Sequence, residues 1–101
     1  MRRVLVLEEA AEDIEQARDF YDRQEPGVGS YFADSIIAEI EGLGLIHGVH
    51  SQHFGFYRRL SDRFPFGIYY RETSEATEVF AVLDLRRDPV WIYKELDTRN
   101  S

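Results

Sequence analysis

Residues 56–89 read FYRRLSDRFPFGIYYRETSEATEVFAVLDLRRDP, and the parsing of this stretch determines the architecture. Apolar residues recur at period two in three successive runs: Phe56 and Leu60, then Phe66, Ile68 and Tyr70, then Val79, Ala81 and Leu83. Alternation of this kind marks strands with one buried face. Asp62-Arg63 marks a tight turn between the first two runs, and the polar segment from Glu72 to Glu78 marks the second turn. The stretch therefore reads as a three-stranded antiparallel meander. The alternate positions Tyr57, Arg59, Tyr69 and Arg71 then share the opposite face, where Arg59 and Arg71 can lie side by side on adjacent strands.

Upstream, Arg2–Leu7 reads as a short opening strand. Glu8 and Glu9 begin a helix, because acids in a first turn favour the positive end of the helix dipole. Ala10, Ile14, Ala17 and Tyr21 share one of its faces, and Glu25-Pro26-Gly27 stops it. A second helix starts near Gly29-Ser30, carries Phe32, Ile36, Ile40 and Leu43 as its stripe, and ends between Leu43 and His47. The short Pro-Gly connection makes the two an antiparallel helix hairpin packed on the sheet. Downstream, Val90–Leu96 reads as a short C-terminal helix or tail. The expected class is α+β, a single domain over residues 1–96 with a frayed tail at 97–101.

The net charge is −7, and its distribution is uneven. Residues 1–50 hold four arginines against eleven acids, whereas residues 51–101 hold eight bases against eight acids. The overall sign argues against indiscriminate nucleic-acid binding, while the paired Arg58-Arg59 and Arg86-Arg87 leave room for a local positive patch. With no cysteine, neither a disulfide nor a thiolate metal site can form. His47, His50 and His53 read as surface histidines of a loop, so no metal and no cofactor is expected. No apolar run approaches the ~20 residues of a membrane helix, and the opening residues lack the pattern of a secretory leader. A cytoplasmic location without membrane contact is expected.

Three pieces of sequence carry a resemblance: Ala10–Ile14 continuing to Phe20-Tyr21, then Phe32 with Ile36 and Ile40, and above all Arg58-Arg59-Leu60 with Phe64–Arg71, closed by Val82–Pro89. In this order they resemble the RelE/ParE superfamily of type II toxin–antitoxin toxins, also called plasmid stabilisation proteins. The resemblance implies a cognate antitoxin partner and one of two activities, metal-independent mRNA cleavage on the ribosome or inhibition of DNA gyrase. On the nuclease reading, Arg59, Arg71, Arg86 and Arg87 would neutralise the scissile phosphate, and Tyr93 stands where some members place a catalytic tyrosine. The histidine that nucleases of the family often carry near the end of the last strand is replaced here by Asp84-Leu85, and no lysine precedes Lys94. Asp84 reads more simply as the ion-pair partner of a neighbouring arginine. Tyr69 and Trp91 are the candidates for a partner surface, Trp91 being equally suited to packing on its own domain. A non-toxic or degenerate family member acting as a protein-binding module or homodimer is the alternative reading.

Overall fold

The computed structural model describes residues 1–100. Strand β1 (Arg3–Val6) leads into helices α1 (Glu8–Gln24) and α2 (Val28–Gly42). Strands β2 (Gln52–His53), β3 (Phe56–Leu60), β4 (Phe66–Glu72) and β5 (Ala76–Asp84) follow, and α3 (Pro89–Arg99) closes the chain. The sheet order is β1-β5-β4-β3-β2, with β1 parallel to β5 and every other pair antiparallel. The expected α+β class, opening strand, helix hairpin and meander are all present.

The hairpin covers one face of the sheet. Ala10, Ile14, Phe32, Ile36, Ile40 and Leu43 meet Phe66, Ile68, Tyr70, Val79 and Val82 there. Its turn depends on one glycine. A Cβ at Gly29 would lie 2.3 Å from the backbone oxygen of Arg18, so the two helices cross at backbone distance. The Asp22 carboxylate accepts from Gly29 N at 2.8 Å and from Gly27 N at 3.2 Å, satisfying donors at the start of α2. Gly29→Ala should therefore separate the helices and cost roughly 1–3 kcal/mol in urea unfolding, the usual range for overpacking. A loss below about 0.5 kcal/mol would show that the crossing can relax.

The opposite face is not open. There α3 lays Ile92 and Leu96 on Phe56, Tyr69, Ala81 and Leu83, giving a second core. Asp88 starts this helix by accepting from Val90 N at 2.8 Å, with Pro89 in its first turn. Fraying from residue 97 is not observed: the helix runs through Arg99, whose side chain is 8% exposed. Its guanidinium forms a two-pronged ion pair with Asp13 of α1 and reaches Glu95 at 3.0 Å. Asp13 also accepts from Val82 N at 2.9 Å, and Arg99 donates to Phe80 O at 3.2 Å. The pair thus fastens α1, β5 and α3 together. Burial pushes the Asp13 carboxyl up, and the Arg99 hydrogen bond opposes that rise.

Two expectations about the meander are corrected. A β-bulge interrupts β5: Tyr69 pairs with Ala81 and Tyr70 with Val79, leaving Phe80 as the extra residue. Val79 and Val82 consequently join the hairpin core, while Ala81 and Leu83 join the α3 core. The segment from Glu72 to Glu78 is also mostly strand. Parallel pairing with β1 extends β5 back to Ala76, and Arg2 Nε donates to Thr77 Oγ1 at 3.0 Å.

Candidate functional site

The two strand arginines lie on opposite faces. Arg59 pairs with Ile68 of the hairpin face, and its guanidinium stands 3.6 Å from Glu39 of α2 and 3.5 Å from Asp62. Arg71 follows Tyr70 and so points to the α3 face. It lies over the Phe56 ring at 4.1 Å and the Phe80 ring at 5.5 Å, and its Nε donates to Gly55 O at 3.1 Å. The expected juxtaposition of Arg59 and Arg71 does not occur, because their positions differ in strand parity once the register is fixed.

Arg86 and Arg87 diverge as well. Arg86 holds Asp84 with two hydrogen bonds, Nε to Oδ1 at 3.0 Å and Nη2 to Oδ2 at 2.7 Å. Those bonds hold the Asp84 carboxyl below the usual carboxylate range, so it is unsuited to act as a base that must carry a proton near neutrality. Arg87 instead lies over the Trp91 ring at 3.7 Å, beside a cavity of about 330 Å³ between α1, the end of β5 and α3. Trp91 is half-buried, and it packs against its own domain as well as facing this cavity. Tyr69, expected on a partner surface, is 1% exposed and belongs to the core beneath α3.

Tyr93 is 48% exposed, and its ring meets that of Phe54 at 5.2 Å. Sequence reasoning missed Phe54. It forms, with Gly55, the two-residue connection between His53 and Phe56, and both residues have positive φ, 56° and 86°. Such a turn favours Asn-Gly, and a bulky side chain there is strained. The phenylalanine is nonetheless half exposed. Its neighbour Gly55 accepts the Arg71 hydrogen bond, so Phe54, Tyr93 and Arg71 form one surface at the β2–β3 turn. The available signal was the Phe-Gly dipeptide immediately before the alternating run that begins at Phe56.

The histidines serve the loop. His47 bonds to Glu72. Tyr70 Oη accepts from Gly48 N at 2.9 Å and shares a second hydrogen bond with His50 Nδ1 at 2.5 Å. Burial, then the Arg59 charge, lowers the His50 pKa, and burial, then Arg58, lowers that of His53. Unfolding therefore takes up protons below about pH 6.5, so the stability these groups contribute is full above that pH and falls as pH drops toward the lowered folded values. The melting temperature should decline between about pH 7.5 and 5.5. In His50→Gln the decline should be shallower, and equal slopes would remove His50 from the account.

Among described residues, no group of three or more His, Asp or Glu side chains is placed to hold a metal ion. None of the helices among the described residues is long and apolar enough to cross a membrane. The chain matches no family model and no curated protein. Its fold is similar to that of a chain in a solved structure described as the chromosomal ParDE TA system from P. aeruginosa, with a TM-score of 0.76 and 18% identity over 84% of this chain and 97% of that one. At that identity the likeness is one of fold.

Proposed function

We propose that this chain is the toxin component of a type II toxin–antitoxin pair, neutralised by a cognate antitoxin, and that it acts by binding a protein target in the manner of gyrase inhibitors. The fold likeness to a protein of a ParDE system supports the toxin reading. One observation favours binding over mRNA cleavage. Phosphate cleavage needs cations converging on one phosphate and a group able to move a proton. Here Arg59 is committed to Glu39, Arg86 to Asp84, Arg71 to two rings and Arg87 to Trp91. Tyr93 stands with Phe54, away from any acid–base partner among the described residues. An exposed aromatic pair beside an arginine is instead the composition of protein-interface hot spots.

Purified protein should inhibit gyrase supercoiling in a dose-dependent way, and adding the product of an adjacent antitoxin gene should restore it. Growth arrest by the expressed chain without gyrase inhibition would keep the toxin role and reject this target. Cleavage of ribosome-bound mRNA by the same preparation would overturn the binding reading.

A further inference from the structure

The cavity of about 330 Å³ between α1, the end of β5 and α3 is a second surface, apart from the Phe54–Tyr93 patch. Its lining includes four aromatic residues, Phe20, Tyr21, Phe66 and Trp91, and neither Phe54 nor Tyr93 is among them. A space of this size, at the lower end of the range for ligand pockets, admits one large side chain. Two-pronged ion pairs, Asp13–Arg99 and Asp84–Arg86, tie its walls together. The cavity is thus formed before any partner arrives, which lowers the cost of binding.

Aromatic surface continues out of the cavity across the end of the helix hairpin. Tyr21 meets Phe20 at 5.4 Å and Phe64 at 5.1 Å, and Phe64 meets Tyr31 at 5.6 Å. Phe20 is 45% exposed and Tyr31 47%. A strip extending so far beyond the cavity is larger than a small ligand needs and suits a polypeptide segment.

The charges along the strip select the kind of segment. Both carboxylates of the cavity wall are neutralised, Asp13 by Arg99 and Asp84 by Arg86. Arg87 lies over the Trp91 ring and Arg63 over the Tyr31 ring at 5.7 Å, and among the described residues neither forms an ion pair. A guanidinium stacked on a ring keeps its in-plane N–H donors free for a carboxylate. Arg86 stands between them beside Tyr21: burial raises the Tyr21 pKa, and the Arg86 charge opposes that rise. The α1 acids Glu8, Glu12 and Glu15 line a different hollow. Positive charge is therefore in excess here, and it is spread along the strip. That spacing matches carboxylates distributed along a polypeptide and not a single phosphate.

We propose that this strip docks an acidic segment of a separate protein chain, with one bulky apolar side chain entering the cavity against Trp91 and flanking carboxylates on Arg87 and Arg63. The proposal does not rest on the gyrase reading, which uses the Phe54–Tyr93 surface.

Trp91 is the only tryptophan of the chain, so its emission reports on the cavity directly. The test titrates the full-length protein with a nine-residue peptide of one central phenylalanine flanked by glutamates. The same peptide with lysine flanks, and the glutamate peptide with a central alanine, serve as controls. The acidic phenylalanine peptide should shift the Trp91 emission and bind at least about tenfold more tightly than either control at low salt. The net charge of −7 acts in the opposite direction, so a preference for the acidic peptide reports the local surface. Arg87→Gln, at an exposed side chain, should weaken binding by about fivefold or more. Gln16→Glu keeps both Arg87 and Trp91 but adds a negative charge to the cavity wall, and should weaken it by about threefold. Phe54→Asn should bind as the unmodified chain does. Equal or tighter binding of either control, unchanged affinity in Arg87→Gln, amide shifts centred away from Phe20, Tyr21 and Trp91, or no binding at about 1 mM peptide would overturn the proposal.

Discussion

Arg99→Ala is expected to cost about 3 kcal/mol or more and to lower the melting temperature of a domain this size by roughly 12–24 °C. The replacement leaves Asp13, itself 11% exposed on its side chain, as a buried carboxylate without its counter-ion. It also frees Phe80 O at the edge of β5 and loosens α3 from α1. Against a typical total of roughly 5–15 kcal/mol, that loss is large. The matching change at the end of β5, Arg86→Ala, should cost less than about 1 kcal/mol, because the Arg86 side chain is 61% exposed and its ion pair is open to water. Urea unfolding of both variants separates the cases. Adding Asp13→Ala to Arg99→Ala should cost less than the sum of the two single changes, since one partner's penalty is the other's absence. Equal losses in Arg86→Ala and Arg99→Ala would refute the fastening role of the Asp13–Arg99 pair.

Phe54→Asn should abolish the activity of the chain without weakening its fold. Asparagine before glycine is the favoured dipeptide for a turn with two positive φ angles, so the substitution removes backbone strain while deleting one ring of the Phe54–Tyr93 surface. The melting temperature should stay level or rise by a few degrees, whereas growth arrest on induced expression should be lost. Tyr93→Ser, at a half-exposed position of α3, should act in the same direction. Full arrest by both variants would move the functional surface elsewhere. A lower melting temperature in Phe54→Asn would mean that the aromatic contact, and not the binding surface, explains why phenylalanine is tolerated in the turn.

Local pattern carried the hairpin and the meander into view, because helical stripes and strand alternation act over a few residues. The pairings that escaped are long-range. Parallel pairing joins Arg3 to Ala76 across most of the chain, and nothing in the Thr73–Thr77 sequence announces the extra residues of β5. The bulge at Phe80 then reverses strand parity, which a strict period of two cannot represent. Tyr69 was expected to be free because a sheet this small was given one covered face. Ile92 and Leu96, spaced i and i+4 after the Asp88-Pro89 start, were the signal that a helix covers the second. The same oversight left Arg99 in a frayed tail.

For the candidate site, residue type was legible and geometry was not. Arg59 was expected beside Arg71, yet it pairs with an acid of the hairpin. The choice among Arg71, Arg86 and Arg87 as phosphate ligands rested on chain order, which says nothing of where each guanidinium points. Their partners, two rings, one carboxylate and one indole, lie on different elements and become known only once those elements are packed.

The central claim is that the chain acts by binding a protein and not by cutting RNA, and the integrity of total RNA in cells arrested by its expression tests this most directly. The account expects arrest with full-length mRNA, retained in Arg86→Ala and lost in Phe54→Asn. Fragmented mRNA that becomes intact in Arg71→Ala and Arg87→Ala would contradict it.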